Sequence, residues 1–538
     1  MNNSISSGST RIRSLAAGAA RRAAIAALAA LLVLITLGGT RPPAAAAATA
    51  ARPGTPDLAA IDRYVEAQRG ATRLPGLALG IVEGDRIVHL QGFGDAGPSG
   101  RPVTPQTPFV LASTTKSFTA LAVMQLVEAG KVDLDAPVQR YLPWFRLADP
   151  AASARITVRH LLNQTSGLAD PTESVTKGDG SDAALEHAVR ALSAVQPRHP
   201  AGQAFGYSNM NYSTLGLIVQ TVSGQSYEDY VRQHVLAPLG MTNSYSSPVE
   251  ARRHGLATGH RYWFGRPVAF QMPYSRAAVP AGYLSASAEA MSHYLIAHLN
   301  AGRYQTTRVL SPAGIAELHR PAIKLIGPDR DIAYAMGWYV ERVDGLSILW
   351  HPGNAANFHA DVMLAPQGRW GVVVLANGHN SLSPDRESAI ARGVLGMLVG
   401  RQLATPPVTN ANQVLFFVLL AVAVLQVLGI ARSIVLLRRW RAQPARSPRG
   451  FIRVAGRIVA PLVANLAWAL VCLVGRPSLL GGSLSALLLT IPDFAVVLLG
   501  SGVVALAWGA CRAFLAVRTL RGHRAGPAVP AQLETVGA

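Results

Sequence analysis

The last quarter of this chain restricts its architecture most. Three apolar runs follow one another there, at residues 414–437, 458–475 and 491–511. Between Arg432 and Arg457 stand eight arginines with no acidic residue among them. A helix needs about 20 apolar residues to cross a ~30 Å hydrocarbon layer, and an arginine-rich loop between two such runs stays cytoplasmic. The pattern predicts three transmembrane helices, a basic cytoplasmic loop over 438–457, and a cytoplasmic tail over 512–538 carrying Arg512, Arg518, Arg521 and Arg524. Three crossings put everything before residue 414 outside. The formal charge of +20, from 49 Lys+Arg against 29 Asp+Glu, then reads as membrane topology, and no nucleic-acid partner is expected.

The other end of the chain agrees independently. Arg11, Arg13, Arg21 and Arg22 precede an apolar stretch over 23–38, and an Ala-rich segment over 44–51 offers small-residue cleavage sites. Residues 1–50 therefore read as a signal peptide or signal anchor. The two cysteines, Cys472 and Cys511, both lie within or at the edge of the apolar runs, so no disulfide framework is expected outside the membrane. The expected location is the cell membrane, multi-pass, with the large domain on the extracytoplasmic side.

That domain spans residues 56–402, and a polar linker over 403–413 follows it. It opens on a hairpin signal, two apolar runs at 77–82 and 87–92 around Glu83-Gly84-Asp85. Strand-like runs recur near its end, at 335–340, 346–350, 357–364 and 370–376, before an amphipathic helix over 385–399. Strands at both ends with helical character between them predict an α+β domain. Its antiparallel sheet would join both termini and be flanked by helices, with an inserted helical subdomain.

Three constellations carry chemistry. The first is Ser113-Thr-Thr-Lys116, whose two functional side chains share one helical face. Serine is a poor nucleophile until a base takes its proton, and a buried lysine at a helix start is pushed toward the neutral amine that could do so. Only four lysines exist, yet Ser174-Val-Thr-Lys177 matches too. Context separates them: Ser174 sits in a polar, turn-rich loop, whereas Ser113 opens a helix carrying Phe118, Leu121, Val123 and Met124, which must be buried. The second constellation is Tyr207-Ser208-Asn209 before a helix over 211–222; the third is His351-Pro352-Gly353-Asn354 at the end of a strand-like run. A tyrosine can relay a proton and an asparagine amide can bind a carbonyl. A glycine lets substrate approach the backbone, where the next N–H can help form an oxyanion hole.

In this order and spacing the three motifs resemble those of the serine β-lactamase and penicillin-binding-protein superfamily, in the branch of class C β-lactamases, D-alanyl-D-alanine carboxypeptidases and related esterases. Side features agree, among them Val132-Asp-Leu-Asp-Ala-Pro-Val138, His160-Leu-Leu-Asn-Gln-Thr-Ser-Gly-Leu168 and Pro280-Ala-Gly-Tyr-Leu-Ser285. The resemblance implies a β-lactamase/transpeptidase-like fold over 56–402, with Ser113 acylated and Lys116 and Tyr207 moving its proton. Asn209 would bind the substrate carbonyl, and His351 and Gly353 would line the facing wall. The N–H groups of Ser113 and Asn354 would form the oxyanion hole. Two departures stand out: the third motif begins with His, and its second residue is Pro352 where lactam- and peptide-processing members usually carry a hydroxyl.

The expected activity is a membrane-anchored serine hydrolase acting through an acyl-enzyme on an ester, amide, D-alanyl cell-wall peptide or β-lactam. The alternative is a non-catalytic or acylatable penicillin-binding sensor ectodomain. No cofactor and no metal are expected, because His160 with His187, and His254 with His260, do not fall at metal-ligand spacings. Asp133, Asp135 and Asp170 read as turn and cap residues.

Overall fold

The computed structural model describes residues 56–97, 100–170, 178–325, 331–403, 411–442, 451–473 and 484–524. The expected signal sequence, the second Ser-x-x-Lys match at Ser174 and Lys177, most of the linker, much of the basic loop and the end of the tail lie outside these residues.

Helix α1 (Leu58–Thr72) leads into strands β1 (Gly76–Glu83) and β2 (Arg86–Gly94). The hairpin turns where the sequence places it, because Gly84 takes φ 62°, a conformation that costs glycine nothing. Helices α2 (Thr115–Glu128) and α3 (Asn209–Ser223) follow, then a small hairpin of β3 (His260–Trp263) and β4 (Arg266–Ala269), and helix α4 (Ala288–Leu299). The chain returns to the main sheet through β5 (Ile323–Lys324), β6 (Asp331–Tyr334), β7 (Tyr339–Val343), β8 (Leu346–Ala355), β9 (Phe358–Ala365) and β10 (Trp370–Ala376). Helix α5 (Pro384–Val399) closes the domain.

The main sheet has the order β5-β6-β7-β8-β9-β10-β1-β2 and its neighbours pair antiparallel. Leu77 lies opposite Ala376, so the first strand is paired with the last. The expected α+β architecture is the observed one. Strand β9 is buried along its whole length because both sheet faces are covered. Its Ala360, Val362 and Leu364 join the core that holds α2, α3 and α4, while Met363 and Ala365 join the second core with α1 and α5.

Two boundaries differ from expectation. Residues 335–338 form a turn rather than a strand start: Ala335 N–H donates to the Trp338 carbonyl at 2.7 Å, and Trp338 is a fully buried plug of the core. The apolar character there serves packing, not pleating. The strand expected over 346–350 runs on to Ala355, so the third motif lies inside β8, because β9 pairs with β8 as far as that residue.

Beyond the domain come α6 (Ala411–Arg441), α7 (Phe451–Leu473), the short α8 (Leu484–Thr490) and α9 (Pro492–Arg524). Two stretches are long and apolar enough to cross a membrane, Phe417–Arg439 and Pro492–Thr519, with mean hydropathy 2.3 and 2.1. The described middle stretch, Ile458–Leu473, is shorter and carries Pro461. Two of the three expected spans therefore meet the criterion.

Candidate active site

The turn carrying Ser113 holds an unusual backbone conformation. Ala112 adopts φ 46°, left-handed for a residue with a Cβ, a strain that persists only where surroundings enforce it. Ser113 follows, half-buried, and α2 begins two residues later. Phe118 of this helix stacks on Tyr294, ring centroids 3.9 Å apart, and Lys116 is fully buried.

Lys116 Nζ lies 3.1 Å from Ser113 Oγ, 2.8 Å from Asn209 Oδ1 and 2.7 Å from the Ala281 carbonyl. Burial drives its pKa down to about 7, and the charge of Asp170 opposes that only in part. A neutral amine has two hydrogens and one lone pair. The two shorter contacts, both to oxygens that can only accept, take the hydrogens, and the lone pair is left for the serine hydroxyl. Tyr207 is half-buried, with its ring centroid 4.8 Å from Lys116 Nζ. Burial and the neighbouring Tyr339 push its phenol well above the usual range, while a hydrogen bond with Ser113 works the other way. Tyr207 is thus a neutral donor beside the serine.

Asn209 is oriented from below. Asp170 accepts from its Nδ2 at 3.0 Å, from Ser208 Oγ at 2.5 Å and from Met210 N–H at 3.2 Å. Holding Nδ2 on a carboxylate turns Oδ1 toward the lysine. Ser208 is the N-cap of α3; Asp170 accepts a helix-start N–H as well, orients Asn209 and bears on Lys116. Sequence reasoning missed that role, since 39 residues separate Asp170 from Asn209 and no local pattern links them.

The facing wall comes from β8. His351 is buried, its Nδ1–H donates to the Pro352 carbonyl at 2.8 Å, and the Tyr334 hydroxyl stands 3.4 Å from Nε2. Burial, with the lysine nearby, lowers its pKa to about 3, so the ring is neutral. Tyr334 is a second residue that the motifs did not flag. Gly353 has a second reason beyond the expected one: an added Cβ would lie 2.0 Å from the Leu111 carbonyl oxygen and 3.0 Å from Thr114 Oγ1. Glycine is thus required for β8 to lie against the serine turn, a packing reason beside the expected one of substrate access. Strand β7 pairs with β8 only as far as Trp350, so residues 351–355 run past its end on that side. The side chain of exposed Asn354 turns to the outer face of the sheet, where His359 Nδ1 is 2.7 Å from its Oδ1.

Ser113, Lys116, Tyr207, Asn209 and His351 thus converge, with Gly353 packed against the serine turn and Asn354 one residue beyond. The discounted histidines have ordinary roles. His160 completes a capping box with Thr157, His187 meets Asp179, His254 stacks on Tyr245, and His260 bonds the Asn377 carbonyl.

A continuous antiparallel sheet, two helical layers and a Ser-x-x-Lys helix at its edge define the β-lactamase and penicillin-binding-protein fold. A family model described as Beta-lactamase matches residues 61–396, and the chain belongs to that family. It is 29% identical over 326 residues to Protein flp of Staphylococcus aureus (strain N315), covering 60% of this chain and 64% of that protein. The match thus spans less than two thirds of the staphylococcal relative. It is 31% identical over 345 residues to Penicillin-binding protein 4 of Amycolatopsis lactamdurans, covering 62% of this chain and 88% of that one. The octameric penicillin-binding protein homologue from Pyrococcus abyssi superposes with a TM-score of 0.55 at 27% identity, over 64% of this chain and 78% of that one.

Proposed function

We propose that this chain is a membrane-anchored, extracytoplasmic serine hydrolase that works through an acyl-enzyme on Ser113. The carrying observation is a lysine amine with its pKa near 7 standing 3.1 Å from the serine oxygen. Neutral Lys116 takes the Ser113 proton as Oγ attacks the carbonyl carbon. As the tetrahedral intermediate collapses, Tyr207, held neutral by burial, gives its phenol proton to the leaving group. It takes the serine's proton back from Lys116, which returns to the neutral amine. Water then attacks the acyl-enzyme and releases the acid by the reverse route. Asn209 binds the substrate carbonyl through the amide hydrogen that Asp170 leaves free. The N–H groups of Ser113 and Asn354 hold the oxyanion, and His351 and Gly353 form the wall opposite.

The substrate class is an ester, amide, D-alanyl peptide or β-lactam. Neutral His351 offers no cation to a substrate carboxylate, which favours neutral acyl donors. The same reading assigns residues 56–402 to catalysis and 403–413 to a linker. Helices α6, α7 and α9 would be three crossings, with the 438–457 loop and the tail in the cytoplasm and residues 1–50 an export signal or anchor.

The test is to treat the full-length protein with a fluorescent penicillin and a fluorophosphonate and to map the adduct by mass spectrometry. Ser113→Ala should abolish labelling and Ser174→Ala should leave it intact. An adduct on Ser174 would remove the assignment.

A further inference from the structure

Behind the third motif, on the sheet face turned away from Ser113, lies a buried cluster that the proposed hydrolysis does not use. His359 on β9, His379 just after β10 and Glu387 on α5 have ligand atoms all within 4.8 Å of one another, and all three residues are buried. His379 Nδ1 lies 2.5 Å from Glu387 Oε2, and His359 Nδ1 lies 3.6 Å from that same oxygen. Asn354 Oδ1 stands 2.7 Å from His359 Nδ1 and so joins the group.

The other polar atoms of two of these residues are occupied in a particular way. His359 Nε2 is held by Asp361 Oδ2 at 3.0 Å, and Glu387 Oε1 accepts the Asn380 N–H at 2.8 Å. Each group is therefore anchored by one atom and directs the other inward. A carboxylate on the outer nitrogen of a histidine, leaving the inner nitrogen with its lone pair, is the usual support of a metal-bound imidazole. Two imidazoles and a carboxylate are also a recurrent zinc ligand set. A tetrahedral ion with bonds of about 2.0–2.1 Å separates its ligand atoms by roughly 3.3 Å, and the observed 2.5, 2.7 and 3.6 Å bracket that spacing. Charge points the same way. Glu387 and Asp361 are 1% and 2% exposed, and two carboxylates so deeply buried call for positive charge among them.

We propose that His359 Nδ1, His379 Nδ1, Glu387 Oε2 and Asn354 Oδ1 bind a divalent transition-metal ion of the zinc type. Nitrogen donors disfavour calcium and magnesium, which take oxygen ligands. The ion would tie β8, β9, the segment after β10 and the first turns of α5 into one unit. It would also fix the outer face of the residue whose N–H the proposed mechanism uses; the metal site itself does not depend on that mechanism.

The experiment uses the full-length chain purified in detergent without chelators. Metal content is measured by inductively coupled plasma mass spectrometry, and the metal-depleted protein is titrated with Co(II) and read by visible absorption. We expect one equivalent of metal per chain and an intense tetrahedral Co(II) band. His379→Ala and Glu387→Gln should lose both, and Asp361→Asn should weaken Co(II) binding about 10- to 100-fold. The wild-type spectrum decides the matter even where a variant fails to fold. Folded wild-type protein that gives no such band would overturn the proposal and leave the cluster as a proton-mediated network of histidines and carboxylates. A band retained in both His379→Ala and Glu387→Gln would overturn it equally.

Discussion

Lys116 joins structure to chemistry because it is buried where an ammonium is poorly solvated. Its pKa near 7, against an ordinary 10.5, makes acylation under the proposed mechanism rise with pH through about 7 and level off above. Asp170 is the charge that holds this value up. Asp170→Asn should therefore move the acidic limb of the kcat/KM profile to lower pH, and a limb that stays put would take Asp170 out of the electrostatics. The same shift bears on stability. Between about 7 and 10.5 the unfolded lysine binds a proton that the folded one does not, so stability rises with pH across that window and is lost as pH falls. Lys116→Met should abolish that slope in urea melts at several pH values, be more stable than the parent near pH 7, and lose acylation by about 100-fold or more. His351, with its pKa lowered to about 3, stays uncharged wherever the lysine works. At pH 7–8 a neutral activated ester should exceed a penicillin in kcat/KM by about tenfold or more, the worth of one missing charge-assisted hydrogen bond. Parity between the two would show that another group holds the carboxylate.

Among the elements, β8 shows how far the sequence could be read. The hairpin at Gly84, the last strands and α5 were legible because turn chemistry and apolar runs are local signals. The motif residues were legible because their spacing within one element is itself chemical. Strand β8 was read short: its apolar pattern stops at Trp350, and what extends it to Ala355 is pairing with β9, a contact between segments. Asp170, Tyr334 and the His359–His379–Glu387 cluster were missed for the same reason, since each acts on a residue that only the fold brings near. For Gly353 the sequence shows the glycine but not its packing constraint, which arises from the Leu111 carbonyl in another segment. Gly353→Ala should force β8 away from the serine turn. We expect it to destabilise the domain by about 1–3 kcal/mol and to lower kcat, measured by urea melts and single-turnover acylation. Unchanged stability would mean that the strand can shift at no cost.

At the scale of the whole molecule, the helices after residue 411 and the hydrolase domain meet at one end of the bundle. Arg261 donates to the Leu488 carbonyl at 3.0 Å, and the Phe264 N–H donates to Asp493 Oδ2 at 2.9 Å. The hairpin of β3 and β4 thus rests where α8 gives way to α9. The arginines gather at the other end: Arg438, Arg439 and Arg441 finish α6, and Arg441 bonds Thr519 late in α9 at 3.0 Å. With α6 and α9 both running away from the domain, positive charge lies opposite to it, the arrangement that retention of arginine in the cytoplasm produces. Both the geometry and the sequence asymmetry rest on these arginines, and labelling of introduced cysteines tests the proposed topology directly. A cysteine at Thr306, exposed on the domain, should react with an impermeant thiol reagent in intact cells, once Cys472 and Cys511 have been replaced by alanine. A cysteine at Ser447, within the arginine-rich loop, should react only after permeabilisation. The result at Ser447 tests the crossing by α6, whose stretch Phe417–Arg439 lies between the domain and the loop. Labelling there in intact cells, at the rate seen for position 306, would put loop and domain on the same side and remove the crossing between them.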